Sequence, residues 1–457
     1  MNASTPDSQS FAPFAKRFFS GASPEDVAAF SAKAQQSIAR LFFDAAAKRQ
    51  PGESFLSVYT PDFEREGFAA PVTILAAIND DKPFLVDSIL SELGERGEKI
   101  HAVFHPIFRV NRSPQGQRDY VTGEGGGSLE SMICVVMGRV GSVEKQANLE
   151  TSVARVLSDV SSVVTDWRPM VERLDQCIAE LWQHPPQIAK EELDETLAFL
   201  QWLKTNHFTF LGARDYSFDG AGEGALTPIA DSGLGLLRDQ DRRIVRRGND
   251  RVTLTPEVRG YLMQPSPLIV TKSVERSPVH RRVPEDYVGI KRFSTDGRLV
   301  GERRFIGLFT SAAYNDSPRD IPFLRRKVAN VTQRSGFPKS SHNAKSLAVV
   351  LETFPRDELF QISEDDLLRI GPALAYLGDR PNTKAFIRFD QFNRFASALV
   401  YFPADKFRGG LIRSIGTVLT ETLGGQIASA FPHTEEGQMT RVHYTITLPE
   451  GDRKSVV

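Results

Sequence analysis

The residues of this sequence best suited to chemistry are eight histidines, two cysteines, a few glycine-rich runs and one arginine-rich run. His101 and His105 stand four apart in KIHAVFHPIFRVN, a segment that alternates as a strand does. Four strand residues cover roughly 13 Å, too far for two side chains to share an ion bound at ~2 Å, so both read as histidines of a half-exposed sheet face. His280 lies between Ser277 and the pair Arg281–Arg282. A hydroxyl, an imidazole and two guanidiniums could form a nucleophile or an anion site, but no acid can be assigned to orient the ring, and a loop or interface role is the simpler reading. A dinucleotide turn needs G-x-G-x-x-G between a strand and a helix, because the pyrophosphate rests on the helix N-terminus. Gly123-Glu124-Gly125 has Ser128 at the third position, and Gly233-Leu234-Gly235 has Arg238 there. No G-x-x-x-x-G-K-[ST] run occurs. Arg242, Arg243, Arg246, Arg247 and Arg251 form a basic run that would suit a phosphate-bearing effector, although a solvated loop or contact with acidic residues elsewhere is the commoner outcome. The sharpest candidate is a turn: Asn79, Asp80, Asp81, Pro83, Phe84, Leu85 and Val86 would lead a strand into a helix N-terminus, whose free N–H groups and positive dipole end suit a carboxylate. It is read as an effector or interface turn. Asp87, in the first helical turn, is explained by the dipole alone.

The elements around that turn are clear in pattern. VTILAAIN (72–79) is a short β-prone run, and FLVDSILSELGERG carries Leu85, Ile89 and Leu93 at helical spacing before a stop at Gly97. In 99–111, Ile100, Ala102, Phe104, Phe108 and Val110 face one way. A Gly/Ser-rich hairpin loop follows (113–128), then a strand (132–140), a helix (143–160) with Leu149, Val153, Val156 and Val160 on one side, and SSVVTDW as a closing strand. The predicted order is β-α-β-β-α-β, a ferredoxin-like unit. Before it, residues 1–12 read as a polar tail and 24–48 as helices. After it, 169–205 is helical, and 207–218, 267–275 and a hairpin turning at Asp296-Gly297 are strands. The stretch 219–260 has no regular pattern. Helices return at 319–334, 342–353 and 363–377, where Ser363 and Asp366 form an N-cap pair. The order then restarts at 395–403, with a helix ending at Gly424 and two further strands. A second helix and a fourth strand are not found in the pattern, which would leave a sheet edge uncovered.

The whole chain has 457 residues, 40% hydrophobic and 25% charged, with a net charge of −1. That size predicts two to four domains, and the balanced charge gives no electrostatic reason to bind nucleic acid or an anionic membrane. Cys134 and Cys177 are too few for a disulfide framework, which suits a reducing compartment. No basic-then-apolar leader opens the sequence, and no apolar run reaches the ~18–20 residues of a membrane span. A cytoplasmic protein is expected.

Several long segments, in order, resemble the large bacterial NAD-specific glutamate dehydrogenases. They are RQPGES (49–54), DDKPFLVDSI (80–89), IHAVFHPIFRV (100–110), HFTFLGARDY (207–216), GLGLLRD (233–239), RSPVHRRVPEDYVGIKRF (276–293), GERRFIGLFTSAAY (301–314) and RFASALVYFP (394–403). The resemblance covers almost the whole chain. It implies a parent enzyme that oxidatively deaminates L-glutamate to 2-oxoglutarate and ammonium with NAD, whose N-terminal part carries ACT-type and PAS-like domains and whose catalytic lysine lies far downstream. The Lys-Gly-Gly context of that lysine is absent here. The implied fold is α+β: two ferredoxin-like βαββαβ (ACT-type) units, the second incomplete, flank a β-rich PAS-like unit with helical connectors. The expected division is 1–60 helical, 61–168 first ACT-type domain, 169–206 helical connector, 207–318 PAS-like, 319–381 helical and 382–457 second, truncated ACT-type domain. This chain is then expected to hold no catalytic, cofactor-binding or metal-binding residues, to be inactive alone, and to partner sister subunits or the downstream catalytic domain. An amino-acid effector is a further candidate partner. In amino-acid-binding ACT domains a Gly commonly follows the Pro of the first turn. Here Phe84 follows Pro83 and fills the place of a ligand. The alternative is a free-standing amino-acid sensor built from ACT and PAS-like modules.

Overall fold

The computed structural model describes residues 8–120, 127–218, 225–242, 252–253, 256–379, 382–390, 392–434 and 439–449. The chain divides into two units: 1–165 with the segment 277–282, and 166–276 with 283–457.

The first unit opens with three helices, α1 (Ser8–Phe18), α2 (Pro24–Ala28) and α3 (Ala32–Ala45). The helical signal of 24–48 is met, with Pro24 at the first position of α2 and the Ser31 hydroxyl capping α3. Then come β1 (Phe55–Tyr59), α4 (Phe63–Glu66), β2 (Val72–Asp80), α5 (Leu85–Glu95), β3 (Ile100–Phe104), β4 (Ile107–Arg112), β5 (Arg118–Tyr120), β6 (Ser128–Gly138) and α6 (Val143–Gln183). The unit boundary falls inside α6. The sheet is antiparallel in the order β1-β2-β6-β4-β5, with β3 also paired to β6. Residues 99–111 thus run beside β6 as two strands, interrupted at His105-Pro106, where proline has no N–H for the ladder. Ala102, Phe104, Phe108 and Val110 are buried, as their alternation requires. They share one core with the phenylalanines of α1 and α3 and with Phe19, just past α1. Phe14 stacks on Phe108 at 4.8 Å and Phe19 meets Phe104 edge-on at 5.0 Å. Leu85, Ile89 and Leu93 of α5 and Leu149, Val153, Val156 and Val160 of α6 are buried as predicted.

Two expectations are corrected here. SSVVTDW is helical, within α6, and not a closing strand. Its β-branched residues suit a strand locally, but Val156, Val160 and Val163 continue one buried helical stripe. The fourth place in the sheet is taken instead by β1, which precedes the first expected strand and pairs antiparallel with β2, from Phe55↔Ile78 to Tyr59↔Ile74.

The second unit contains α7 (Lys190–Trp202), β7 (Phe208–Phe218), β8 (Ala225–Pro228), β9 (Leu234–Gly235), β10 (Val252–Thr253), α8 (Pro256–Met263), β11 (Leu268–Arg276), β12 (Pro284–Phe293) and β13 (Leu299–Phe309). They form an antiparallel sheet, β10-β8-β7-β13-β12-β11, with β9 on β7. The β12–β13 hairpin turns at Asp296-Gly297, with Gly297 at φ 79°. The stretch 219–260, expected to be irregular, contributes three short strands and the start of α8 among its described residues. Helices α9 (Ser311–Asn315), α10 (Leu324–Arg334), α11 (His342–Thr353), α12 (Arg356–Gln361) and α13 (Glu364–Asp379) follow. Ser363 caps α13, accepting from the Asp366 N–H at 3.0 Å.

The chain ends in β14 (Lys384–Phe389), β15 (Phe395–Pro403), α14 (Gly409–Leu423), β16 (Gln426–Thr434) and β17 (Met439–Thr447), ordered β14-β15-β17-β16. The fourth strand expected to be missing is therefore present. It is β14, and like β1 it precedes the first expected strand and pairs antiparallel with it. Ala396, Ala398, Val400 and Phe402 pack with Val442, Tyr444, Ile446 and the apolar side of α14. Among the described residues α14 is the one helix in that core.

Candidate functional site

The β2–α5 turn begins where β2 ends in a charged anchor. Asp80 accepts from the Arg49 guanidinium at 2.6 Å and from the Gly52 N–H at 2.8 Å. Arg49 also reaches Glu130 at 2.8 Å, and Arg112 grips Glu130 through both oxygens at 2.6 and 2.8 Å. Burial alone would raise the Glu130 carboxyl, but the two guanidiniums outweigh it and hold it below the usual carboxylate range. The Asp81 N–H donates to Leu129 O at 2.9 Å, and Lys82 donates to the Ser161 hydroxyl at 3.0 Å. Pro83 is exposed, Leu85 buried and Val86 half-buried.

Phe84 holds the N-cap position of α5 in a left-handed conformation (φ 72°), and its side chain makes no capping bond. The Ser88 hydroxyl donates back to Phe84 O at 2.5 Å. Against this helix start lies the segment 277–282. The His280 N–H donates to the Ser88 hydroxyl at 2.9 Å, and Ser91 donates to His280 O at 3.3 Å. The His280 ring meets Asp87 at 3.1 Å and has its centroid 5.2 Å from that of Phe84. Arg282 pairs with Glu92 at 3.0 Å and with Glu95. Ser277 turns onto Val279, donating to its carbonyl at 2.6 Å, so Ser277 and His280 do not form a nucleophile–base pair. One buried donor at the turn, Asn79 Nδ2, has no hydrogen-bond partner among the described residues. The turn thus presents Phe84 and a segment of the chain itself where an open helix N-terminus would be.

Of the other sequence candidates, His105 comes near this turn, beside Ser131, the β6 partner of Asn79. His101 is exposed, and His105 bonds to Ser131 at 2.7 Å. Among the described residues no three His, Cys, Asp or Glu side chains group as metal ligands would. Gly235 donates its N–H to Asp166 at 2.8 Å, and a Cβ at Gly233 would stand 2.1 Å from Leu237 O, so these glycines serve close backbone packing. Of the arginine run only Arg242 lies within the described residues, where it pairs with buried Glu285 at 2.5 Å. Gly123, Glu124 and Gly125 lie outside them.

Sequence reasoning missed the buried polar groups of the second unit. Lys272 bridges Asp286 at 2.5 Å and Asp357 at 3.2 Å, and Tyr314 donates to Asp357 at 2.6 Å. Burial pushes the Asp286 carboxyl up to about 6, against the pull of the Lys272 ammonium. Glu358 on α12 holds Arg388 at 2.5 and 3.0 Å, and His443 Nε2 lies 2.9 Å from the Ser397 hydroxyl and 3.7 Å from Glu358. One imidazole nitrogen meets both the hydroxyl and the acid. A relay needs the two opposite nitrogens, so this is a tie between β15, β17 and α12 and not a catalytic triad. The available signal was charge inside apolar strand runs, as at Glu285 and Asp286 in VPEDYVGI.

The topology defines two ACT-type antiparallel sheets in a mixed α+β chain. Family models bear this out. "Glutamate dehydrogenase, ACT1 domain" matches residues 14–153, "helical motif 1" of the same enzyme 321–380, and its "ACT2 domain" 384–456. The chain is similar to the NAD-specific glutamate dehydrogenases of Halomonas elongata (34% identity over 396 residues) and Pseudomonas aeruginosa (34% over 403). These alignments cover 85% and 87% of this chain but 24% and 25% of the relatives. That of Mycobacterium tuberculosis is 27% identical over 407 residues, covering 88% of this chain and 24% of the relative. The chain belongs to the NAD-specific glutamate dehydrogenase family, as a segment spanning about a quarter of the length of these relatives. Among the described residues no helix is long and apolar enough to cross a membrane.

Proposed function

We propose that this chain is a non-catalytic regulatory and assembly segment, N-terminal in a cytoplasmic NAD-specific glutamate dehydrogenase. The parent reaction is the oxidative deamination of L-glutamate to 2-oxoglutarate and ammonium, in amino-acid catabolism. NAD and the catalytic lysine belong to another part of that enzyme, and the middle sheet serves as a PAS-like unit. The partners are sister subunits or the catalytic domain of the same enzyme, and the mechanism is indirect: contacts that favour one arrangement of the assembly bias activity elsewhere. The carrying observation is the closed β2–α5 turn, where Phe84 and His280 occupy the helix start that an effector would use. Purified chain should reduce no NAD with glutamate, while its deletion from the full-length enzyme should change oligomeric state or the response of activity to effectors. Full assembly and unaltered kinetics after deletion would refute the reading.

A free-standing amino-acid sensor is the second reading, favoured by the unpartnered buried amide of Asn79 at the same turn. Calorimetry of the isolated chain with a panel of amino acids separates the two. Tight binding supports the sensor, and absence of heat supports the scaffold.

A further inference from the structure

Around Tyr261, Tyr287 and Arg304 the buried groups leave two donors unused and one positive charge without a carboxylate partner. Arg304 donates to Glu302 at 2.9 Å, with its guanidinium 4.0 Å from the Tyr216 ring centroid, and Tyr287 donates to the other oxygen of Glu302. Arg394 gives Nε to Asp390 at 3.1 Å and Nη2 to the Thr271 hydroxyl at 3.3 Å. Each of these guanidiniums therefore has its own carboxylate. Lys291 does not. Its ammonium donates to the carbonyls of Tyr261 and Gln264, both at 2.6 Å, and stands 4.2 Å from the centroid of the Tyr261 ring. Lys291, Arg304 and Arg394 face two acids, Glu302 and Asp390, so the cluster has one positive charge in excess.

The unused donors lie at this cluster. Arg394 Nη1 and the Tyr261 hydroxyl are buried, and neither has a hydrogen-bond partner among the described residues. Tyr261 is 6% exposed and the Arg394 side chain 9%. The Phe392 ring lies beside both, 5.8 Å from the Tyr261 ring and 4.9 Å from the Arg394 guanidinium, measured between centres. Both groups also lie within electrostatic range of Tyr287 and Arg304. An unmade bond to a buried guanidinium or phenol costs ~1–3 kcal/mol, and excess buried charge is costly unless paired.

We propose that Tyr261 and Arg394 form an internal anion site that takes a small carboxylate, either a free ion or the carboxylate end of a larger ligand. The class follows from the donor count. A carboxylate offers two oxygens and one negative charge, matching one guanidinium N–H, one phenol O–H and one unpaired ammonium. A phosphate would bring more acceptors and more charge than the described groups satisfy. This site is separate from the β2–α5 turn and stands whether or not the chain is a regulatory segment.

The test is calorimetry of the full chain with sodium acetate at constant ionic strength, together with thermal unfolding. Saturable binding is expected in the native chain, weakened about tenfold or more in Tyr261→Phe, the loss of one hydrogen bond to a charged group. Without acetate, Tyr261→Phe should be at least as stable as the parent, because it removes a hydroxyl that has no partner. Arg394→Gln should also abolish binding. Should that variant fail to fold, Tyr261→Phe, which keeps the ring, still decides. No saturable acetate binding, or equal binding by folded Tyr261→Phe, overturns the proposal. The same holds if an ordered water fills the place, since acetate would then give no heat.

Discussion

The chain enters α5 of the first ACT-type sheet through Phe84, with left-handed backbone and a ring against His280. It enters α14 of the second through Arg408, Gly409 and Gly410, all exposed, and a Cβ on either glycine would meet nothing within 4 Å. The sheets themselves are built alike. In each, a leading strand, β1 or β14, fills the outer place beside the first expected strand. A shared sheet therefore does not dictate what its first turn can do. That depends on a few residues at the helix start and on whether another segment covers them. The buried acids differ as well. Glu130 is held by two arginines inside the first sheet, whereas Glu358 reaches the second from α12.

The comparison can be broken most severely at those acids. Glu130→Ala strands Arg49 and Arg112 in the interior and should cost about 3–5 kcal/mol, read as early loss of amide protection in β2 and β6. Glu358→Ala should loosen β14 and β17 by a similar mechanism and leave β2 and β6 protected. If either variant unprotects both sheets equally, the two are not independent.

A pH experiment sharpens the second half of the contrast. Lys327 holds α12 from its end, donating to the carbonyls of Leu359, Phe360 and Ile362 at 2.9, 3.3 and 2.7 Å. Burial, with the Arg388 guanidinium, pulls its ammonium down to about 7 from an ordinary 10.5. Between those values the unfolded chain binds the extra proton, so stability from this residue rises with pH, by up to ~1.4 kcal/mol per unit. Denaturant midpoints of Lys327→Met measured from pH 7 to 10 should lose that slope. An unchanged slope would show that Lys327 stays charged when folded.

Smaller effects test the turns. His280→Ala removes a partly exposed side-chain contact with Asp87 and one ring contact and should cost ~1 kcal/mol or less, while speeding amide exchange at the start of α5. Gly410→Ala, in open space at the start of α14, should stabilise by ~0.5 kcal/mol. A destabilising Gly410→Ala would mean that the second turn is also covered.

Most of the strands and helices were legible because their apolar residues repeat with the right period: Leu85, Ile89 and Leu93 for α5, Ala102 to Val110 for β3 and β4, and Asp296-Gly297 for the hairpin. The leading strands were not, since FLSVY and KAFIRF are short runs whose pairing partners follow them in sequence. The strand read into SSVVTDW failed because local β-preference was outweighed by a buried stripe spanning several turns of α6. For the site, the turn at Asn79 to Val86 was legible, but its cover was not. Nothing near Phe84 in sequence announces His280.

By itself the sequence determined periodicity, turns and caps, because these depend on neighbours within a few residues. Only tertiary structure decided which strand fills the fourth place, which acid meets which guanidinium and what lies over Phe84. Those outcomes depend on burial and on charges brought together from distant parts of the chain, where an unpaired group is costly and a paired one is kept.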